Sequence, residues 1–387
     1  MNLAYTPAQE AFRAEVRAWL AAHVPAERLI TLERGEGFAQ HVAWERTLAS
    51  GNWGMVTWPE VYGGRGLDLI EWLIFEEEYW AAGAPLRANQ NGIFLLGPTI
   101  MEFGTEEQKA RFLPPMARGE VIWAQAWSEP GAGSDMAAIK TTARLDGDHY
   151  VINGQKTWSS RASFADWGFG LMRTEAGSSR HKGLSFLLFD LDTPGITRRP
   201  IRQLHGDPGF AELFFDEVRV PVENRIAGEG EGWNVAMATA GFERGLMLRS
   251  PGRFQATAAR LISLLDRVGD NASPGLIEEA VACWMRAQAY AYNTYAVAAR
   301  IMAGGSIGAE ASLNKIFWSE LDRAMHRVAM HLLGPAAELT MLPDGAANAW
   351  LEGYIFSLSG PIYAGSNEIQ RNITAERLLG LPRMGAG

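Results

Sequence analysis

The chain has very little cysteine and no excess of positive charge. Its single cysteine, Cys283, cannot form an internal disulfide, and the absence of a CxxC pair excludes zinc-ribbon and dithiol chemistry. The net charge of −9 does not favour nucleic acid or an anionic membrane surface as a partner. Glycine and proline together make up about 16% of the residues, too few for a collagen or a low-complexity chain. The composition is that of a folded globular protein.

Long hydrophobic runs are missing as well. The most apolar long segment, residues 281–303, is interrupted by charged residues such as Arg286 and Arg300, so we expect a packed helix and no membrane span. The N-terminal residues MNLAYTPAQEAFRAEV carry acids and no apolar centre, which is not typical of a secretory signal. The sequence therefore predicts no membrane partner and a cytoplasmic location.

The 387 residues are enough for two or three packed units, and the first 120 have helical patterns. Thr6 to Gln9 reads as a capping box with proline at the first helical position, and Thr105 to Gln108 repeats that signature. Leu113-Pro114-Pro115 is predicted to end the second of these helices. We expect an N-terminal helical domain over residues 1–120.

Short β-rich runs begin near residue 121. Asp146-Gly147 predicts a hairpin turn, and Asn153-Gly154 predicts a second turn directly after it. Long helical patterns do not separate these runs, which favours antiparallel pairing over a doubly wound parallel sheet. We expect a central antiparallel β-domain over 121–230 and, where helical spacing returns, a C-terminal four-helix bundle over 231–387. The predicted fold class is α+β multidomain.

Three glycine-containing motifs point to different chemistry. Residues 304–308, GGSIG, match the GxSxG pattern of hydrolases but lie between two predicted helices, where no nucleophile elbow forms. The glycines of 228–232 lack the third glycine of GxGxxG and a surrounding βαβ unit. Residues 126–135, AWSEPGAGSD, combine hydroxyls with small residues that let a flat or anionic ligand approach the backbone, although a Pro-Gly turn has the same letters.

Five segments resemble the acyl-CoA dehydrogenase family of flavoproteins, in family order and over almost the whole chain. They are GPTIMEFGTEEQKARFLPPMARGE (97–120), AWSEPGAGSD (126–135), YVINGQKTWSS (150–160), FDEVRVPVENRIAGEGEGW (215–233) and GSNEIQRNITAERLLGLPR (365–383). The resemblance implies a helical domain, a central β-domain and a C-terminal four-helix bundle. It also implies bound FAD, an acyl-CoA substrate, a carboxylate that removes the α-proton, and transfer of the β-hydride to flavin N5.

The resemblance assigns residues to the FAD and substrate sites. It places four residues around the isoalloxazine ring: Trp127, Ser128, Trp158 and Ser160. It assigns Gly133 and Ser134 to a loop along which the FAD phosphate and the CoA pantetheine run. It assigns Ser366 and Glu368 to the adenosine diphosphate end of FAD, which binds at a helix N-terminus. The residues implied at the substrate are Ser134, Arg244, Tyr363, Ala364 and Gly365.

The catalytic base departs from the usual family pattern. Most members carry Glu before Gly in Tyr-Glu-Gly-Thr, whereas this chain has Tyr363-Ala364-Gly365-Ser366. Alanine cannot accept a proton, although its N–H can still hold the thioester oxygen. The isovaleryl-CoA and long-chain branches place the base in a Glu-Arg pair, and Glu243-Arg244 stands at that position. We expect Glu243 to be the base; a non-catalytic subunit of a heteromeric dehydrogenase, or a flavin monooxygenase on the same fold, stays open.

The family also implies partners and an assembly. An electron-transfer flavoprotein is the expected electron acceptor, and homo-dimers or homo-tetramers are the usual assemblies. A heteromer also stays open. Residues 264–269 lack the Arg-x-x-Phe-Gly segment and residues 331–335 replace Gln-x-x-Gly-Gly, so the usual contacts of a neighbouring subunit with FAD are not implied here. Lipid β-oxidation is the implied context. The acyl group is left open among fatty, branched, aromatic and steroid side-chain thioesters.

Overall fold

A computed structural model describes residues 4–244, 250–342 and 347–383, without the side chains of residues 243 and 244. The chain divides into two compact units. The first, the helical unit, comprises Met1–Val24, Asp68–Ala84 and Arg244–Gly387, and the second, the sheet unit, comprises Pro25–Leu67 and Pro85–Glu243. The first 120 residues thus contribute to both units, and the boundaries between the three predicted domains stay predictions.

Helices come first along the chain, strands follow, and helices return after the last strand. The described α-helices are α1 (Pro7–His23), α2 (Gly35–Ser50), α3 (Leu69–Ala81), α4 (Gly97–Phe103), α5 (Glu106–Ala117), α6 (Gly232–Arg244), α7 (Pro251–Val268), α8 (Pro274–Met302), α9 (Ala311–Leu333), α10 (Ala349–Ser357) and α11 (Asn367–Ile373). The strands are β1 (Trp123–Gln125), β2 (Thr142–Asp146), β3 (His149–Ser160), β4 (Trp167–Arg173), β5 (Leu184–Asp190), β6 (Ile196–Ile201), β7 (Phe210–Pro221) and β8 (Arg225–Ile226). Within the described ranges, no helix is long and apolar enough to cross a membrane.

The predicted helix starts are confirmed, but one predicted end is wrong. The Thr6 hydroxyl accepts from Gln9 N and the Gln9 side chain accepts from Thr6 N, which is the capping box that begins α1. Helix α5 does not stop at Leu113 but continues through Pro114 and Pro115 to Ala117. Proline lacks an N–H donor but keeps its carbonyl, and the Pro114 carbonyl accepts a hydrogen bond in the last turn.

One sheet contains all eight described strands, in the order β6-β7-β3-β2-β4-β5-β8, with β1 paired to β4. Antiparallel pairing predominates, as predicted. The exception is β4, which runs parallel to β1 and meets β2 in parallel at one residue pair. Strands β4 and β5 are buried over most of their length, so they form the centre of this unit's core.

The predicted turn at Asn153-Gly154 is wrong, because β3 runs straight through it. Asn153 instead lies in a β-bulge opposite β7, where the register shifts between Ile152 and Gly154. The Asn153 side chain donates to the Glu217 carboxylate at 2.6 Å and accepts from Glu217 N at 2.9 Å. These two cross-strand bonds outweigh the local preference of Asn-Gly for a turn.

The helical unit is built on three long helices. Helices α7, α8 and α9 pack on one another, α3 packs on α7, and α10 and α11 pack on α9. Phe254, Tyr290 and Trp318 meet in the centre, with the Phe254 and Tyr290 rings 5.5 Å apart. The buried face of α9 includes Leu321 and Val328, as the helical spacing predicts.

Candidate functional site

The segment that follows β1 leaves the sheet in a tight turn. Ala126 N donates to the Phe169 carbonyl at 2.8 Å, so the segment starts in register with β4. Glu129 and Ala132 then exchange two backbone hydrogen bonds around Pro130-Gly131. The turn positions the next residues, Gly133 and Ser134, on the exposed surface of the sheet unit.

Glycine at positions 131 and 133 is not required by the packing of this chain. A Cβ atom at either position would meet no described atom within 4 Å, and neither residue has a positive φ. The two glycines therefore leave the backbone uncovered at the surface, although the packing of the chain does not require glycine there. This arrangement suits a ligand that comes close to the main chain.

The end of β3 presents a tryptophan in an unusual backbone conformation. Trp158 has φ +57° and lies at a second register shift, between Lys156 and Ser159. Its indole is 59% exposed and meets the Phe210 ring edge-on, with centroids 5.9 Å apart. A non-glycine residue in the left-handed region costs about 1–2 kcal/mol, and such strain concentrates at binding sites.

The two segments are joined directly. Thr157 N donates to the Ser128 carbonyl at 2.8 Å. This bond brings together four of the residues predicted around the isoalloxazine ring, namely Trp127, Ser128, Trp158 and Ser160. Ser128 and Ser160 are half-buried, whereas the Trp127 indole N–H is buried with no hydrogen-bond partner among the described residues.

A buried ion pair lies beneath these residues, and the sequence reasoning missed it. The Lys156 ammonium, with no exposed surface, donates to the Glu129 carboxylate at 2.9 Å. Burial raises the pKa of Glu129, but the Lys156 ammonium and donated backbone N–H groups outweigh it, so that the pKa lies below its ordinary value. The sequence carries no local signal for this pair, because Lys156 and Glu129 are 27 residues apart and charged residues are usually exposed.

In the helical unit, residues 363–368 lead into α11. Ser366 is the N-cap, and its hydroxyl accepts from Ile369 N at 3.4 Å. The carboxyl of Glu368 is exposed. Hydrogen bonds from the Glu368 backbone N–H and from the Ser366 hydroxyl lower its pKa. Tyr363 packs near Trp318, with ring centroids 5.9 Å apart. This segment fits the predicted helix start with an acid in its first turn.

Ala364 and Gly365 have left-handed backbones, with φ +56° and +77°. Both carbonyls accept from the Gln370 carboxamide, at 3.1 and 3.3 Å, and Gln370 has no exposed surface. The turn at the position where most family members carry the base is thus held by a buried side chain. The sequence reasoning missed Gln370, since nothing in its local pattern indicates this contact.

The structure leaves the predicted base untested. Helix α6 ends at Arg244, so Glu243 and Arg244 form its last residues. The side chains of both lie outside the described residues. Their roles therefore stay predictions.

The residues of the sheet unit fit a flat heteroaromatic group with polar edges. Trp158 offers an exposed aromatic face, the Trp127 indole has an unused donor, and Ser128 and Ser160 supply hydroxyls beside them. The open backbone at Gly131 and Gly133 adds room for an attached chain. A flavin dinucleotide matches this combination.

Helices that precede and follow a mostly antiparallel sheet along the chain, together with residues at the end of β3 that could hold a flat cofactor, indicate the class: a flavin-dependent oxidoreductase of α+β architecture. The chain matches three family profiles along its length. They are described as Acyl-CoA dehydrogenase, N-terminal domain (residues 6–120), middle domain (124–218) and C-terminal domain (230–379). The protein belongs to the acyl-CoA dehydrogenase family, whose members are FAD-dependent and act on acyl-CoA.

Relatives agree over the full length of the chain. Acyl-CoA dehydrogenase IpdE1 of Mycobacterium tuberculosis is 42% identical and covers 98% of this chain and 99% of its own. A solved structure described as Tcur3481-Tcur3483 steroid ACAD has a TM-score of 0.88 at 29% identity, covering 99% of this chain and 100% of that chain. The ChsE4-ChsE5 complex from Mycobacterium tuberculosis has a TM-score of 0.83 at 32% identity, with the same coverage. The predicted family and fold are confirmed.

Proposed function

We propose that Glu243 removes the α-proton in an FAD-dependent α,β-desaturation of an acyl-CoA thioester. The observation that carries this proposal is Ala364. The turn around it keeps its left-handed backbone and its support from Gln370, but it has no carboxylate. Because the reaction needs a base, and the Glu-Arg pair at the end of α6 stands where other family branches carry theirs, Glu243 takes that role.

FAD, when bound, accepts the hydride that leaves the acyl Cβ. Trp127, Ser128, Trp158 and Ser160 would hold its ring system, and the buried indole N–H of Trp127 would donate to a ring acceptor. The remaining FAD contacts would come from Gly133 and Ser134 at the phosphate and from Ser366 and Glu368 at the adenosine diphosphate end.

On the substrate side, the Ala364 N–H would donate to the thioester oxygen and stabilise negative charge as the α-proton leaves. Ser134, Arg244, Tyr363 and Gly365 would line the acyl-CoA site. In general, a carboxylate base in a water-poor pocket has a raised pKa, which suits proton removal near neutral pH.

The proposed substrate class is supported by a solved neighbour. One solved neighbour is described as a steroid ACAD, which supports a bulky, ring-bearing acyl group for this chain too. The proposal includes a role in β-oxidation of such lipids and an electron-transfer flavoprotein as acceptor. It also includes a homo-dimer or homo-tetramer and a cytoplasmic location, which the single cysteine supports.

A second candidate function is a subunit of a heteromeric dehydrogenase whose partner chain carries the base. It is supported by the missing carboxylate at Ala364. It is also supported by two solved neighbours whose descriptions each name two proteins, Tcur3481-Tcur3483 and ChsE4-ChsE5. The flavin monooxygenase alternative is not favoured by the acyl-CoA dehydrogenase matches.

The experiment is an anaerobic titration of the FAD-loaded protein with fatty, branched, aromatic and steroid side-chain acyl-CoA thioesters, following loss of visible flavin absorbance. Glu243→Gln is compared with the wild type and with Glu231→Gln, a control just before α6. Bleaching in the wild type and in Glu231→Gln, but not in Glu243→Gln, would establish the base and the substrate class. Bleaching that persists in Glu243→Gln would reject Glu243, and no bleaching without a second chain would support the heteromer.

A further inference from the structure

The ammonium of Lys156 is hydrogen-bonded to three acceptors in two other segments of the sheet unit. It donates to the Leu171 carbonyl of β4 at 2.7 Å, to the Glu129 carboxylate at 2.9 Å and to the Trp127 carbonyl at 3.3 Å. An ammonium has three N–H donors, and each of them has an acceptor in this interior. Lys156 itself lies on β3, so a single buried group joins β3, β4 and the segment after β1.

The Glu129 carboxylate extends this connection to the other side of the segment. It accepts from Lys140 N at 2.6 Å and from Thr141 N at 3.0 Å, directly before β2. A buried charge is tolerated when its partner and its remaining hydrogen bonds are present, as they are for this pair. The ion pair therefore fixes both ends of the stretch that contains the Pro130-Gly131 turn.

The positions of these bonds relate the pair to the cofactor residues. Lys156 is bonded to the backbone of Trp127 and lies two residues before Trp158 on the same strand. The neighbouring Thr157 N adds a bond to the Ser128 carbonyl. The spacing between Trp127-Ser128 and Trp158-Ser160 is thus set by one buried ammonium and one backbone bond.

We infer that Lys156 and Glu129 are positioning residues for FAD: the buried pair holds the segments of Trp127 and Trp158 at the separation that the flavin ring requires. The inference rests on the proposed placement of FAD at these segments. In this placement neither side chain would touch the cofactor, because both are buried and act through the backbone that they hold.

The sheet unit offers a matched comparison in a second buried pair. Arg87 and Glu45 lie 2.7 Å apart and are both buried, and Arg87 also donates to the Gly54 carbonyl. These bonds join α2 to neighbouring loops and do not involve the segments at Trp127 or Trp158. A pair that only stabilises the fold should behave like Arg87-Glu45 when it is broken.

The test measures FAD affinity by reconstitution of apoprotein with free FAD, together with thermal unfolding of the same samples. The variants are Glu129→Gln, Lys156→Met, the double variant Lys156→Met/Glu129→Met, and Arg87→Met as the control. We expect the single variants to weaken FAD binding by about tenfold or more, while Arg87→Met loses stability without a comparable loss of affinity. The absorption spectrum of bound flavin should shift in the Lys156 and Glu129 variants only.

The double variant separates positioning from stability. It removes both charges, so that no unpaired buried charge remains and much of the thermal stability returns. If FAD binding stays weak at that recovered stability, the positioning role is supported. If the double variant, or the milder Glu129→Gln, binds FAD as the wild type does with an unchanged spectrum, the inference is wrong. Trp158→Ala in the same assay tests the placement itself: FAD affinity equal to the wild type there would reject the proposed site and not the role of the pair.

Discussion

Gln370 donates a hydrogen bond from its buried carboxamide to the carbonyl oxygen of Ala364, at 3.1 Å. The same carboxamide nitrogen reaches the Gly365 carbonyl at 3.3 Å. Two consecutive left-handed residues are thereby held in place by one side chain at the second turn of α11. The turn is thus supported by a buried side chain although position 364 has no carboxylate.

Replacement of Gln370 by alanine should therefore disturb the turn. Two carbonyls would lose their buried donor, and we expect the free energy of unfolding to fall by about 2 kcal/mol. The rate of thioester-driven flavin reduction should fall more than the thioester affinity, because the oxyanion donor is misplaced. Stopped-flow reduction at saturating thioester measures this effect. Gln288→Ala, a half-buried glutamine on α8, is the control, and equal losses in both variants would contradict the role of Gln370.

A carboxylate placed at position 364 should replace the one at 243. Ala364 already has the backbone conformation of the turn, so a longer side chain adds no new φ strain. We expect Ala364→Glu to restore anaerobic flavin bleaching to the inactive Glu243→Gln variant. The measurement is the bleaching rate of the double variant with the best wild-type substrate. Failure of the rescue, with FAD bound and the protein folded, would show that the turn is not oriented toward the thioester.

Trp158→Gly should separate stability from cofactor binding. Glycine adopts φ +57° without strain, but it also loosens the unfolded chain and removes the contact with Phe210, so we expect the stability of the apoprotein to change by less than about 1 kcal/mol. FAD binding should weaken, since the exposed aromatic face is gone. Denaturant unfolding of apoprotein and FAD titration give the two quantities. Leu204→Ala, at a more exposed position, should change neither, and unaltered FAD affinity in Trp158→Gly would argue against a contact with the ring.

The ion pair of Glu129 should make stability depend on pH in the acid range. The pKa of this carboxyl is lowered in the folded protein, so its contribution is present above the unfolded pKa and is lost as pH falls through the folded value. We expect the difference in melting temperature between wild type and Glu129→Gln to be constant near neutral pH. It should shrink below about pH 4, the region where an unperturbed Glu titrates. A difference that grows on acidification would contradict the assigned direction.

The helix starts could be predicted because their causes are local. In each capping box the hydrogen bonds join residues three apart, so four letters such as Thr6 to Gln9 contain the whole interaction. The prediction of a turn at Asn153-Gly154 was wrong because its cause is not local. Its outcome depends on Glu217, 64 residues away, which bonds the Asn153 side chain across the sheet.

The candidate site divides in the same way. Residues whose type carries the chemistry, such as Trp158 and Ser160, were predicted from the family segments. The groups that hold them, Lys156 and Glu129, were not found, since a Lys and a Glu 27 residues apart give no sign that they are buried together. Charged residues are usually exposed, and only a shared interior with matching acceptors reverses that expectation.

The sequence by itself determined the family, the α+β composition, the helix caps and the absence of a carboxylate at Ala364. Each of these depends on residue identity or on contacts between residues a few positions apart. The tertiary structure decided which buried groups lie next to the candidate site residues: the Lys156 ammonium, which joins β3 to β4 and to the segment after β1, and the Gln370 carboxamide, which is bonded to the turn at Ala364. Those contacts join atoms that become neighbours only when strands and helices pack, and their strength comes from the exclusion of water that packing brings.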